Sequence, residues 1–337
     1  MLNEKGMGII MKIYAYEVRE DEKEAFRMLA ERHGAEITLS ADGASMDNAD
    51  ALEGYDGISM LGMNKIDRPL LTKYRDMGIF YISTRTIGYN HIDIQAAREL
   101  GIHVCNASYP PNGVADFTVM MILMCLRHYK QAMWRGQVND FSLAGLQGRD
   151  LNRLTVGIMG TGKIGAQVAR NLSGFGCRML AYDVRENEAV KGLAEYVDMD
   201  TIFREADIIT LHMPLLPETR HIISRESIRK MKDGVILINC ARGELTDIDA
   251  LVEGIETMKI GALGMDTVEG EEGIVHEDRR VDIIPNRNWF YLRQFRNVSM
   301  TQHMAFYTRE AVDSMVRCGV EGILQMARGD KCDTELT

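Results

Sequence analysis

Short apolar runs alternate with stretches of helical spacing through the first third of the chain. The runs at residues 13–16, 57–61, 79–83 and 102–105 are predicted to be strands, and residues 21–33 have the spacing of an amphipathic helix. Parallel sheets show this pattern, because the helix that connects two parallel strands covers a face of the sheet. This part of the sequence therefore predicts a parallel sheet with helices on both faces.

The same alternation returns in the second half of the chain. Further strands are predicted at residues 156–159, 178–182, 208–211, 235–239, 260–265 and 297–300. Helices separate them, and we expect Ser224 and Asp247 to cap two of these helices through side-chain oxygens. A last helical pattern at residues 308–326 follows the final strand. Two doubly wound α/β domains are predicted, with the last helix returning to the first of them.

An apolar stretch from Gly113 to about Arg135 separates the two series of strands. It is rich in Met and Leu nearly all round, whereas a surface helix keeps one polar face. We therefore expect one long helix that is buried in the protein or in a subunit interface.

The turn after the strand at 156–159 carries three glycines, and an acid ends the next strand. The turn reads Gly160, Thr161, Gly162, Lys163, Ile164 and Gly165. The glycines permit a tight turn, a close approach of the backbone to a pyrophosphate and close packing of the helix on the strand. Asp183 lies where a carboxylate binds a ribose hydroxyl and repels a 2′-phosphate. The pattern predicts a dinucleotide site that takes NAD(H) rather than NADP(H).

Charge and cysteine usage narrow the partners and the compartment. A net charge of −10 argues against nucleic acid and anionic membrane surfaces as partners. The six cysteines are scattered without a paired framework, which is typical of reduced thiols in a cytoplasmic protein. The sequence contains no apolar run long enough to span a bilayer. Residues 1–10 are expected to be an N-terminal extension before the first strand.

Three polar residues follow strands of the second domain, at the edge where open α/β sheets bind ligands. Arg242 has the planar fork that binds a carboxylate, and His303 is able to donate a proton near neutral pH. Glu271, if hydrogen-bonded to the imidazole, would keep it protonated and fix the ring. Because isolated charged residues are usually only solvated, the pattern alone leaves a catalytic and a structural interpretation open. The remaining histidines show no metal-ligand spacing, and no metal is predicted.

Five segments, at residues 83–93, 107–116, 241–245, 265–271 and 303–308, together form a more specific pattern than the glycine turn. They resemble the D-specific 2-hydroxyacid dehydrogenase family, in particular its D-lactate and D-aryllactate dehydrogenases, and the resemblance runs over nearly the whole chain from Met11 onward. It implies a Rossmann NAD-binding domain and a flavodoxin-like substrate domain with a cleft between them. The implied substrate domain is discontinuous, at residues 11–108 and 307–337, and the implied NAD-binding domain covers residues 109–306.

The resemblance also implies roles for individual residues. Arg242, Glu271 and His303 correspond to the family's catalytic Arg, Glu and His, with His303 as the proton donor. Cofactor contacts are implied for Lys163 and Ile164 of the glycine turn and, beyond it, for Asp183, Met213, Pro214, Thr219, Cys240, Ala241 and Asp266. Substrate contacts are implied for Ile87, Gly88 and Tyr109, and we expect Met304, Phe306 and residues 62–66 to line the side-chain pocket. The implied assembly is a homodimer.

The expected activity is NADH-dependent reduction of a 2-keto acid to the D-2-hydroxy acid, and the reverse. Pyruvate and larger aryl or branched 2-keto acids are the expected substrates, since a flexible Met beside an aromatic ring suits a side chain larger than methyl. Two alternatives stay open from the sequence. One is a non-catalytic NAD-sensing regulator on the same fold. The other is a dehydrogenase for a phosphorylated hydroxy acid or formate.

Overall fold

The computed structural model describes residues 10–62 and 64–337. Apart from its last residue, the N-terminal extension predicted at residues 1–10 lies outside the described residues. The chain divides into two compact units. Unit 1 consists of Met1–Pro110 and Tyr307–Thr337, and unit 2 consists of Pro111–Phe306.

Strands and helices alternate along the described residues. The strands are β1 (Lys12–Ala15), β2 (Glu36–Leu39), β3 (Gly57–Met60), β4 (Tyr81–Thr84), β5 (His103–Cys105), β6 (Thr155–Met159), β7 (Arg178–Tyr182), β8 (Glu195–Tyr196), β9 (Ile208–Leu211), β10 (Val235–Asn239), β11 (Ile260–Met265) and β12 (Val298–Met300). The helices are α1 (Lys23–His33), α2 (Arg68–Asp76), α3 (Ile94–Glu99), α4 (Asn112–Leu126), α5 (Tyr129–Gly136), α6 (Lys163–Ser173), α7 (Met199–Glu205), α8 (Arg225–Lys230), α9 (Ile248–Glu256), α10 (Arg287–Gln294) and α11 (Arg309–Arg328).

Unit 1 is built on a parallel sheet with the strand order β2-β1-β3-β4-β5. Helix α11 begins after Thr308, whose side chain caps it by accepting a hydrogen bond from Ala311 N. Its apolar face packs on the sheet, where Val320 and Ile323 join Ile13 in one buried cluster. A fully buried aliphatic side chain contributes about 1.5–3 kcal/mol, so this face holds the C-terminal helix in unit 1.

Unit 2 is built on a second parallel sheet, with the order β12-β11-β10-β9-β6-β7-β8. The strand order reverses between β6 and β9, and such a switch point opens a crevice at the carboxyl ends of the strands. The glycine turn follows β6 at this edge, and Asp183 follows β7. The segments that carry Arg242, Asp266 and His303 follow β10, β11 and β12.

The long helix predicted from Gly113 to Arg135 is wrong, because α4 and α5 are separate helices. His128 has a φ of +49° and interrupts the helical hydrogen bonding between them. Its Nε2 bonds to the Gln147 carbonyl at 3.1 Å, which stabilises the break. A left-handed residue inside a helix leaves no mark in the hydrophobic pattern, so the pattern runs on through the break.

The other predicted strands and helices agree with the structure to within a few residues. The sequence pattern missed β2 and the two-residue β8. Both are edge strands, and half-exposed edge strands lack the continuous apolar run that marks a buried parallel strand. The predicted fold class, two parallel-sheet α/β domains, is confirmed. In the part of the chain that the structure describes, no helix is long and apolar enough to cross a membrane.

Candidate active site

The glycine turn after β6 has the geometry that binding a dinucleotide requires. Gly160 has a φ of +94°, and a Cβ atom there would lie 2.6 Å from the His212 carbonyl carbon. A Cβ atom on Gly165 would collide with the Gly160 carbonyl oxygen, so the close packing of α6 on the turn needs glycine there. At Gly162, in contrast, an added Cβ atom would meet nothing within 4 Å. The backbone is therefore open at the N-terminus of α6, where free N–H groups and the helix dipole attract phosphate.

Asp183 lies at the end of β7, beside this turn. One carboxylate oxygen, Oδ2, accepts from Thr161 N at 2.6 Å and from Thr161 Oγ1 at 3.2 Å, and Oδ1 accepts from Arg185 N at 3.2 Å. Thr161 is braced further by the Tyr196 hydroxyl, which donates to its Oγ1 at 2.9 Å, and by Asn187 Nδ2, which donates to its carbonyl at 2.7 Å. The acid is thus fixed against the glycine turn, and the sequence did not predict the part that Tyr196 and Asn187 play.

Five further predicted cofactor residues of unit 2 follow β9 and β10. Met213 is buried, and Thr219 Oγ1 donates to the Pro214 carbonyl at 2.7 Å, which closes the loop between them. Ala241 N donates to Asn239 Oδ1 at 3.0 Å. Cys240 is buried, and burial raises the pKa of its thiol, so it stays protonated. These residues form the carboxyl edge of the sheet next to the glycine turn.

His303 and Glu271 form a hydrogen-bonded pair. His303 Nδ1 lies 2.7 Å from Glu271 Oε1, and Glu271 Oε2 accepts from Val268 N at 2.9 Å. The carboxylate is therefore anchored at one oxygen and orients the imidazole with the other. Because Nδ1 is engaged, Nε2 is the ring nitrogen that is able to exchange a proton with a ligand.

The turn that carries His303 is organised by a buried carboxylate. Asp266 is 1% exposed, and its Oδ1 accepts from Thr301 Oγ1 at 2.6 Å and from Met304 N at 2.9 Å. Its Oδ2 accepts from Ala305 N at 2.8 Å, and its backbone carbonyl accepts from His303 N at 2.9 Å. Sequence reasoning gave Asp266 a cofactor contact only. In the structure it holds the backbone on both sides of His303.

Arg242 follows β10, and its segment packs against the segment that leads to Glu271. A Cβ atom on the next residue, Gly243, would collide with the backbone of Val268 and Glu269, so glycine permits this approach. Among the described residues, the one hydrogen bond of the Arg242 guanidinium goes to the Ala241 carbonyl at 2.7 Å. Most of the guanidinium donors are therefore available to an anionic ligand.

The predicted substrate residues Ile87 and Gly88 lie in unit 1, in the turn after β4. Their carbonyl oxygens are occupied, since Asn106 Nδ2 donates to Ile87 O at 2.7 Å and Thr86 Oγ1 donates to Gly88 O at 2.6 Å. Within residues 10–62 and 64–337, neither backbone N–H donates to a protein acceptor. Both N–H groups are therefore available to an acceptor on a ligand. Tyr109 lies at the end of the same unit and is half-buried.

Comparison with known proteins identifies the family. The family model for D-isomer specific 2-hydroxyacid dehydrogenase, NAD binding domain, matches residues 119–305. The chain is 43% identical over 327 residues to an aromatic 2-oxoacid reductase of Clostridium sporogenes. The matched region covers 96% of this chain and 99% of the relative. It is 34% identical over 328 residues to D-lactate dehydrogenase of Escherichia coli (strain K12), which covers 97% of this chain and 100% of the relative.

A solved structure agrees with these relatives. The NAD-complexed D-isomer specific 2-hydroxyacid dehydrogenase of Lactobacillus delbrueckii ssp. bulgaricus superposes with a TM-score of 0.83 at 29% identity, covering 97% of this chain and 100% of that chain. The predicted cofactor class and the predicted enzyme class are both confirmed. The chain belongs to the D-isomer specific 2-hydroxyacid dehydrogenases, a family of NAD-dependent oxidoreductases.

Proposed function

We propose that this enzyme reduces a 2-keto acid to the D-2-hydroxy acid and catalyses the reverse reaction, with His303 as the proton donor. The observation that carries the proposal is the His303–Glu271 pair at 2.7 Å, on the sheet edge that also bears the glycine turn. A paired imidazole is a natural general acid, because the carboxylate stabilises the imidazolium that gives up the proton. When bound, NADH supplies the hydride that reaches the keto carbon.

The protein's own part is to move a proton and to stabilise charge. In reduction, the alkoxide oxygen takes the proton from His303 Nε2, which leaves a neutral imidazole. In the reverse direction, that neutral imidazole removes the hydroxyl proton. Arg242 binds the substrate carboxylate through its guanidinium fork, which holds the keto group in place for this transfer. Glu271 keeps the imidazole in one orientation through both directions.

We further propose the remaining assignments of the two units. Ile87 N–H and Gly88 N–H bind the substrate carboxylate, with Tyr109 beside them, and residues 11–108 and 307–337 act as the substrate domain. Residues 109–306 act as the NAD-binding domain. The proposed cofactor contacts there are Gly160, Thr161, Gly162, Lys163, Ile164, Gly165, Asp183, Met213, Pro214, Thr219, Cys240, Ala241 and Asp266.

The proposed substrate carries a side chain larger than methyl. Met304 is 38% exposed next to the His303 turn, and Phe306 lies 6.2 Å from the imidazole between ring centroids. A flexible thioether and an aromatic ring at this position suit an aryl or branched side chain. The similarity to an aromatic 2-oxoacid reductase supports phenylpyruvate-like substrates over pyruvate.

A homodimer in the cytoplasm is the proposed working form. Large apolar side chains are exposed along α5 and the segment after it, including Trp134 at 59%, Phe141 at 78% and Leu143 at 83%. Exposed large apolar side chains that follow one another along a segment are typical of a protein interface. A second copy of this chain is the proposed partner, and light scattering of the purified protein tests the assembly.

The activity is tested by following NADH oxidation over a panel of 2-keto acids, with chiral analysis of each product. We expect turnover with phenylpyruvate and branched 2-keto acids, slower turnover with pyruvate, and products of D configuration. An L product would contradict the proposed stereochemistry. NADH binding without turnover on any 2-keto acid would instead favour a non-catalytic NAD-sensing regulator.

A further inference from the structure

His303 is held in a strained backbone conformation by three different groups. Its φ is +51°, a region that residues other than glycine adopt only when their surroundings enforce it. Its N–H donates to the Asp266 carbonyl, and its ring is bonded to Glu271. Its carbonyl accepts from His276 Nε2 at 3.0 Å. Asp266 and Glu271 have roles in the proposed function, whereas His276 has none.

One turn presents both Glu271 and His276 to His303. The Glu271 carbonyl accepts from Ile274 N at 3.0 Å and from Val275 N at 3.2 Å, so the chain folds back directly after the carboxylate. Val275 is 7% exposed and anchors this turn in the protein. His276 then takes a left-handed conformation of its own, with a φ of +65°. The turn therefore delivers a carboxylate to the ring of His303 and an imidazole to its backbone.

The ring of His276 also takes part in an aromatic cluster around the proposed proton donor. Its centroid lies 6.0 Å from that of His303 and 6.1 Å from that of Phe306, and the contact with Phe306 is edge-on. Phe306 in turn lies 6.2 Å from His303 at an interplanar angle of 83°. Edge-to-face contacts at such distances are favourable and directional. The rings of His276 and Phe306 limit how far the imidazole of His303 is able to swing.

We propose that His276 is a positioning residue for proton transfer: it fixes the backbone and ring of His303 so that Nε2 is aimed at the substrate oxygen. The inference rests on the proposed function, because it assumes that His303 is the proton donor. Because a carbonyl only accepts, the proton of a neutral His276 must lie on Nε2. His276 contacts His303 and acts on the reaction only by orienting that residue.

This role predicts a loss that is confined to the chemical step. A hydrogen bond contributes about 0.5–1.5 kcal/mol net, which corresponds to a factor of about 2–10 in rate. Misplacing an acid by a fraction of an ångström slows proton transfer, while cofactor and substrate affinities depend on other groups. The expected signature is thus a lower kcat with unchanged binding, and a larger solvent deuterium isotope effect as proton transfer becomes more rate-limiting.

Two substitutions separate the hydrogen bond from the ring. His276→Phe keeps an aromatic ring beside Phe306 and removes the donor, whereas His276→Gln places an amide donor near the position of Nε2. A matched control is His33→Phe, which removes a histidine bonded to Glu321 in unit 1, far along the chain from the His303 turn. For each variant we would measure kcat and KM with phenylpyruvate, the NADH Kd by fluorescence, the solvent isotope effect and the melting temperature.

We expect His276→Phe to lower kcat about 2- to 10-fold and to increase the solvent isotope effect. Its KM and NADH Kd should stay within about twofold of wild type, and His276→Gln should recover much of the lost kcat. The His33→Phe control should keep wild-type kinetics. Equal kcat values for wild type and His276→Phe would overturn the inference, as would a loss seen only in KM or Kd with an unchanged isotope effect. The proposed function is tested separately, by His303→Ala. If that variant keeps full turnover, the proposed function itself is wrong.

Discussion

The replacement of Asp183 tests how the enzyme selects its cofactor. In the structure the carboxylate is half-buried at the end of β7, and it accepts hydrogen bonds from Thr161 and from Arg185 N. The 2′-phosphate of NADPH would lie against this negative charge, whereas the ribose hydroxyl of NADH would donate to it. Asp183→Asn removes the charge and keeps an acceptor for Thr161 N. Asp183→Ser removes the charge and leaves only a shorter hydroxyl at this position.

The size of the effect follows from the position of the carboxylate. Two unit charges 4 Å apart interact by about 1 kcal/mol in water and about 4 kcal/mol at the effective dielectric constant near a protein surface. Since each 1.4 kcal/mol or so is a factor of ten, Asp183→Asn should shift the ratio of kcat/KM values toward NADPH by about 5- to 1000-fold. NADH should bind about tenfold more weakly, because a hydrogen bond to a charged acceptor is the stronger kind. Arg185 is exposed two residues away and is able to meet the phosphate once the carboxylate is gone.

The assay is kcat/KM for NADH and for NADPH with one 2-keto acid, at low and at high salt. We expect the shift toward NADPH to shrink at high salt, because salt screens exposed charges. If both variants lose NADH affinity and yet keep the wild-type NADH/NADPH ratio, Asp183 anchors the glycine turn and does not select the cofactor.

Three other predictions follow from particular contacts. Gly165→Ala should destabilise the protein by about 1–3 kcal/mol, since its Cβ would meet the Gly160 carbonyl oxygen. Gly162→Ala should keep the melting temperature and weaken NADH binding. Equal melting temperatures for the two variants would refute the packing argument. Burial lowers the pKa of His212 from 6.5 to about 3, so the unfolded chain takes up a proton below about pH 6.5 that the folded protein does not. The free energy of unfolding should therefore decrease by up to about 1.4 kcal/mol for each pH unit below about pH 6.5. Urea titrations should show a smaller decrease for His212→Gln. Asp266→Asn should lower kcat at least tenfold, because the amide cannot accept from Thr301, Met304 and Ala305 together; unchanged kcat would show that the turn does not need the carboxylate.

Much of the fold could be predicted because periodicity reports burial directly. The strands β7, β9, β10 and β11 have the predicted bounds, since each is a short apolar run between turn signals. The break at His128 and the edge strand β2 could not be found this way. The break depends on a hydrogen bond to Gln147, which lies far along the chain. An edge strand such as β2 is partly exposed to solvent, so it lacks the continuous apolar run that distinguishes a buried strand from a loop.

The site also contains residues that could be predicted from the sequence and residues that could not. Glycines and acids at strand ends follow from topology, so the glycine turn, Asp183 and the segments of Arg242, Glu271 and His303 are found from the sequence. The bracing of Thr161 by Tyr196 and Asn187 is not, because it joins segments whose contact only the folded chain shows. For the same reason His276 could not be singled out before folding, since its hydrogen bond to His303 spans 27 residues.

The proposed function depends above all on proton donation by His303 in reduction of the keto group. The most direct measurement compares turnover and NADH affinity of wild type and His303→Ala with phenylpyruvate under identical conditions. General acid catalysis contributes about 100- to 10,000-fold, so turnover should fall by at least about 100-fold while the NADH Kd stays within about twofold. Turnover close to wild type in a folded, NADH-binding His303→Ala protein would show that His303 is not the proton donor.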